Sequence, residues 1–160
     1  KVHSVDIGSV RLTERFFPTG QTQGARIDEA EEYIDEVIAD MGNLLPYDQV
    51  NTVVGTAGTI TTVTAHVLGL QTYDSTQING AVTPVKDTIT ACYDVLKRTR
   101  EEKQQLGFLH PKRVDVIGAG SLIWARILQA VSNHASGVPW RLLTSEYDIL
   151  DGLALDLAQR

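Results

Sequence analysis

The stretch VVGTAGTITTVTAHVLGL, residues 53–70, constrains the fold more than any other part of the chain. An apolar, β-branched run passes directly into Gly55-Thr56-Ala57-Gly58-Thr59. Thr and Val favour strands, yet Ile60, Val63, Val67 and Leu68 recur at helical spacing and Gly69-Leu70 suits a helix end. The spacing predicts a helix over 59–68. Strand, glycine turn and helix together form one unit of an α/β fold. Glycines at 55 and 58 permit positive φ and close approach of the backbone to a ligand. The helix behind them offers free N–H groups and a positive dipole end to an anion, and Thr56 and Thr59 add hydroxyl donors. A tight packing turn explains the same glycines, so this segment alone leaves both readings open.

The remaining elements are read around that unit. Residues 2–17 are rich in Val, Ile and Thr and predict a strand with Gly8 as a bulge. PTGQTQG, 18–24, is loop. Over 26–46, Ile27, Ala30, Ile34, Val37, Ile38 and Met41 lie on one helical stripe, with acidic residues in the first turns and Gly42 as a stop. Residues 50–55 form a short buried strand, and 71–82 a loop. Thr83-Pro84 reads as an N-cap followed by Pro at the first helical position, opening a helix with Val85, Ile89, Cys92 and Leu96 inward and ending in KRTREEK. RVDVIGAGSLIWARILQAV, 113–131, reads as strand, glycine turn, helix; WRLLTSEYDILDGLALDLAQR, 140–160, repeats the order with a polar turn. The expectation is an α/β sheet covered by helices, with the turns at 55–59, 118–121 and 144–148 sharing one edge.

Composition narrows the function. With 160 residues, 42% hydrophobic and 21% charged, the chain can build one domain with a real core. A net charge of -6 argues against general nucleic-acid binding. No apolar run reaches a membrane span and no secretory leader is visible, so no membrane partner is expected. Cys92 is the only cysteine, which fits a reducing cytoplasm. The start at Lys1, without Met, suggests a fragment.

Several sites are weak on their residues. IGAGSLI lacks the third glycine of a dinucleotide fingerprint, because Ile123 takes its place. His3, His66, His110 and His134 with one cysteine make no metal signature. Glu146, Asp148 and Asp151 could hold a divalent cation, orient water, or cap the last helix. Lys97, Arg98, Arg100, Lys103, Lys112 and Arg113 are the one basic concentration: solvated surface, or an attractor for a polyanion.

Four ordered segments, SVDIGSVRLTERF, VVGTAGTITTVTA, HPKRVDVIGAGSLIWARIL and SEYDILDGLALDL, resemble the exopolyphosphatase and guanosine pentaphosphate phosphatase (Ppx/GppA) family. The resemblance implies the second of two ribonuclease H-like domains of the actin-like ATPase superfamily: a mixed sheet flanked by helices, lacking its first strands, with residues 1–160 as a single C-terminal domain. In the family a DIGGGS-type phosphate loop precedes the strand that matches SVDIGSVRLTERF. The catalytic glutamate belongs to the first domain, so the resemblance implies no catalytic residue in this chain. By position it implies substrate contacts at Gly55, Thr56, Ala57, Gly58, Thr59, Gly118, Ala119, Gly120, Ser145, Glu146 and Arg11. Many relatives read S..G.REG near the last segment, from which Asp148 and Asp151 depart. The implied reaction is hydrolysis of a phosphoanhydride in polyphosphate or guanosine pentaphosphate, with Mg2+ for the intact enzyme and none bound by this chain alone. Implied partners are the missing N-terminal domain and, in a homodimer, a second copy. The residues also admit a nucleotide- or polyphosphate-binding module without chemistry, or an interaction domain using the acidic helix.

Overall fold

The computed structural model describes residues 2–18, 22, 24–42, 49–135 and 139–159. Its elements are α1 (Ser9–Phe16), α2 (Ala25–Gly42), β1 (Thr52–Gly55), α3 (Ala57–Val67), α4 (Ser75–Ile78), β2 (Val82–Thr83), α5 (Val85–Lys97), α6 (Arg100–Gln104), a 3-10 turn at Pro111–Arg113, α7 (Ile117–His134), β3 (Arg141–Thr144) and α8 (Ile149–Ala158). The three strands form one mixed sheet in the order β1-β3-β2. β3 is central, parallel to β1 and antiparallel to β2. The last parallel pair sets Gly55 beside Thr144.

α7 organises the packing, touching α1, α2, α3 and α5. On one side Ala119 and Leu122 meet Leu12, Phe16, Ile34 and Leu96. On the other, Trp124, Ala125 and Leu128 meet Val63, Cys92 and Leu142, joining the sheet to α3 and α5. Burial of these side chains, each worth about 1.5–3 kcal/mol, outweighs the modest helix propensity of the Thr-rich α3. Thr62 Oγ1 and Thr64 Oγ1 find partners at the Gly58 carbonyl (2.6 Å) and Thr144 Oγ1 (2.7 Å), so α3's buried hydroxyls are satisfied.

Several sequence expectations are corrected here. Residues 9–16 form helix α1, not a strand. The inward residues are Leu12 and Phe16, four apart, which suits a helix period and not a period of two. Residues 113–117 form no strand either. Val114 and Ile117, three apart, pack with Val95 and Leu109, and Gly118, Ala119 and Gly120 lie inside the first turns of α7 instead of a strand-end turn. Pro84 is the N-cap of α5, while Thr83 belongs to β2. The segment 71–82 holds α4, capped by Asp74, and α5 stops at Lys97, where Thr99 and Glu102 begin α6 with a reciprocal capping box. The expected loop over 18–24 and the tail of the second helix beyond Gly42 fall largely outside the described residues.

Candidate functional site

The carboxyl edge of the parallel pair is built from two loops. The Ser145 N–H donates to the Gly55 carbonyl at 2.9 Å, which ties the loop after β3 to the turn after β1. These two turns therefore share an edge, as expected. The third segment, 118–120, reaches the same place by another route. A Cβ at Gly120 would stand 2.6 Å from Thr59 Oγ1 and 3.2 Å from Ser9 Cβ. The first turns of α1, α3 and α7 thus converge at one glycine.

The chemistry of those three helix ends is distinctive. Gly8, Thr56 and Val116, their N-caps, accept no side-chain capping bond, and none of the three first turns carries an acidic residue. α4, α6 and α8 are capped: Asp74 accepts from Thr76 N–H, Thr99 from Glu102 N–H, and Asp148 from Leu150 N–H at 2.8 Å, whereas Pro84 leaves α5 without a side-chain cap. Asp87 stands in the first turn of α5. The converging ends keep their positive dipole uncompensated by side chains, which suits an anion.

The turn itself differs from expectation in its glycines. Positive φ falls on Ala57, at 70°, and not on Gly55 or Gly58. Gly55 is glycine because a Cβ would press on Ile60 (2.7 Å) and Trp124 (3.0 Å). At Gly58 the space a Cβ would take is filled by the Arg113 guanidinium, the end of a flexible side chain that lies directly against the turn. Arg113 has no carboxylate partner among the described residues. It walls an open groove of about 480 Å³ beside the turn, with Thr61, Tyr73, Phe108 and His110. Tyr73 Oη donates to Glu146 Oε1 at 2.6 Å, and Glu146 N–H donates to Asn79 Oδ1 at 3.1 Å, so the loop after β3 also closes on this groove. Burial, then the Glu146 hydrogen bond, raises the Tyr73 phenol above its ordinary value.

Of the eleven sequence-derived site residues, Gly55 to Thr59, Ser145 and Glu146 surround this edge. Gly118, Ala119 and Gly120 are buried beneath it. Ser145 Oγ is engaged locally with the Tyr147 backbone. Arg11 stands exposed on α1, two residues beyond Ser9, paired with Asp6. Asp148 and Asp151 form a capping box on α8, the third of the options raised for them. The basic concentration is dispersed: Arg98 pairs with Asp94, Arg100 with Asp115, and Lys103 is buried with Nζ on the Leu96 carbonyl at 3.4 Å. No local motif marks Tyr73, and Ser9 lies within SVDIGSVRLTERF without a role assigned to it from sequence.

Comparison with known proteins places this geometry among relatives. The model of the Ppx/GppA phosphatase family matches residues 1–139. Exopolyphosphatase 2 of Mycobacterium tuberculosis is 34% identical over 156 residues, covering 98% of this chain and 48% of that protein. A bifunctional 3-dehydroquinate synthase/phosphatase of Fusobacterium nucleatum is 29% identical over 154 residues, 22% of its length. A crystal structure of an exopolyphosphatase-like protein superposes with a TM-score of 0.93 at 34% identity, covering 99% of this chain and 50% of that one. The Aquifex aeolicus Ppx/GppA family member, 23% identical with a TM-score of 0.81, shares the fold, and 99% of this chain aligns with 49% of its own. The chain spans about half the length of exopolyphosphatase 2.

Proposed function

The chain belongs to the Ppx/GppA phosphatase family, and from that premise we propose that it is the C-terminal, substrate-holding half of a phosphohydrolase that cleaves phosphoanhydride bonds in inorganic polyphosphate or guanosine pentaphosphate. Its fold is then the ribonuclease H-like one of the actin-like ATPases. The convergence of three uncapped, acid-free helix ends at Gly120 carries the reading, because a phosphate chain is the ligand such a rim accommodates. Amide hydrogens of the first turns of α1 and α3, the Thr56 and Thr59 hydroxyls and the Arg113 guanidinium then hold oxygens of the bound chain. Donors fixed in this way offset charge as it shifts towards the leaving phosphate. The family resemblance implies Mg2+ in the intact enzyme. Among the described residues no three His, Cys, Asp or Glu side chains stand together as a metal site, so no step is routed through a metal in this half.

The test is calorimetric titration of the 160-residue chain with inorganic tripolyphosphate at low salt. Arg113→Ala is expected to weaken binding about 10- to 100-fold, the loss of one charge-assisted bond of about 1.5–3 kcal/mol. Arg141→Ala, at the opposite end of β3, leaves it unchanged. No binding, or equal effects of the two variants, overturns the assignment. The chain alone is expected to release no phosphate from polyphosphate, and measurable release refutes the division of labour between halves.

A further inference from the structure

Lys103 is a buried charge that stands apart from the residues of the rim. It lies in the last turn of α6 and is only 3% exposed. Lysine is almost never fully buried unless paired, yet among the described residues no carboxylate stands within ion-pair distance of it. Asp115 is taken by Arg100 Nε and Nη2, Glu102 accepts the Thr99 N–H at 2.8 Å, and Glu101 is exposed. The ammonium donates to the Leu96 carbonyl at 3.4 Å, an acceptor it shares with the Thr22 hydroxyl. That carbonyl belongs to the C-terminal turn of α5, whose negative end explains where the ammonium rests. It does not explain the burial, since a lysine that only caps a helix lays its stem along the surface and keeps its charge in water.

The other side of the ammonium faces α7. A Cβ at Gly118 would stand 3.1 Å from Lys103 Nζ, in a first turn that has neither an acidic residue nor a side-chain cap. This is the positive end of a helix, and a cation is repelled there. Gly118 and Gly120 are about 200° apart around the helix, so Lys103 backs the same helix end whose front meets Thr59 and Ser9. We infer that Lys103 is a positioning residue for the anion site: its fixed positive charge, held behind the first turn of α7, draws a phosphate chain onto a rim that the lysine itself does not touch. The inference rests on the rim holding a phosphate chain. A helix is about 10 Å across, and unit charges that far apart in a protein change affinity roughly 10-fold. Burial lowers the Lys103 amine below its ordinary value, with Asp115 and then Glu102 opposing. A bound anion adds to the opposing side, so proton and anion strengthen each other's binding by the same factor.

Two measurements on the 160-residue chain test it. Lys103→Met removes the charge and keeps the length of the side chain. It is expected to bind inorganic tripolyphosphate about 10-fold more weakly at neutral pH, while its Tm rises by about 2–4 °C because an unpaired buried charge has gone. Lys97→Met removes the same charge from an exposed position and is expected to change affinity by less than about 2-fold. A lysine that only caps α5 gives the opposite pattern, a lower Tm with unchanged affinity. That pattern, or equal losses of affinity in the two variants, overturns the inference. The second measurement needs no variant. Carbon-13 NMR of labelled lysine follows the Lys103 Cε resonance against pH, and saturating tripolyphosphate is expected to raise its midpoint by about one pH unit, the same 10-fold seen from the proton. An unmoved midpoint overturns the inference however the variants fold. Absence of tripolyphosphate binding by the parent chain removes the functional reading and this inference together, whereas binding that Lys103→Met leaves intact removes the inference alone.

Discussion

Gly118→Ala and Gly120→Ala place the same methyl group two residues apart in one helix, and the structure gives them different outcomes. Each gains about 1 kcal/mol of helix propensity. At Gly118 the new Cβ meets Lys103 Nζ at 3.1 Å and Thr22 Cγ2 at 3.4 Å; the tighter contact is the end of a flexible chain and can move. At Gly120 it meets Thr59 Oγ1 at 2.6 Å, Thr59 Cγ2 at 3.0 Å and Ser9 Cβ at 3.2 Å. Thr59 is stiff at χ1 on a helix and Ser9 Cβ is fixed to the backbone, so relief requires the helices to part. Overpacking of this kind costs about 1–3 kcal/mol. Net of the propensity gain, Gly118→Ala is therefore expected to be neutral or stabilising by up to about 1 kcal/mol, and Gly120→Ala to lose about 0–2 kcal/mol, or up to roughly 8 °C in Tm for a chain of this size. Thr59→Ala removes both γ atoms, so the double variant Thr59→Ala/Gly120→Ala should recover about 1 kcal/mol relative to additivity. Urea unfolding followed by circular dichroism measures all four proteins. If Gly120→Ala is as stable as Gly118→Ala, or the double variant is additive, the convergence of helix ends is wrong.

Three other expectations are independent of that cycle. Ala57 holds φ at 70°, which costs an L residue about 1–2 kcal/mol, so Ala57→Gly should be neutral or stabilising by up to about 1 kcal/mol and Ala57→Val should destabilise by more than 1 kcal/mol in the same urea assay. Cys92 is buried and burial pushes its thiol up to about 12, so a thiol reagent at neutral pH should label it only as fast as the protein unfolds; rapid native labelling contradicts its position. The raised Tyr73 phenol keeps its proton in the folded state after the unfolded chain has released it. That contribution is complete below the ordinary value of 10.0 and is lost as pH rises through the folded value. Tyr73→Phe should flatten the fall of stability above pH 10, leaving a residual slope from Tyr93, which burial and Glu31 also raise. An unchanged slope would place Tyr73 outside the Glu146 contact.

The elements legible in the sequence were those with a long, clean period. α2 shows its stripe over five turns, and α3 was recovered because the spacing of Ile60, Val63 and Val67 outweighed the strand preference of threonine. The losses came from short β-branched runs. In both SVRLTERF and RVDVI the residues that point inward are three or four apart, but too few of them fit in either window to declare a period. The two turns at the parallel edge were legible because strand, glycine and helix follow one another locally. The packing of Ser9 and Thr59 against Gly120 and the place of Arg113 and Tyr73 beside the turn were not, since these contacts join elements distant in the chain. Gly55 and Gly120 are held to glycine by close packing instead of by backbone freedom.

The middle strand of the sheet is the last to leave the ribosome. Until Arg141–Thr144 has been synthesised, Thr52–Gly55 and Val82–Thr83 have no common neighbour, and a nascent chain carries two bare edges that can pair with other molecules. A truncation before residue 141 therefore leaves most helices encoded but removes the strand that sets Ser145 beside Gly55, so the edge on which the proposed anion site stands forms only once β3 has paired.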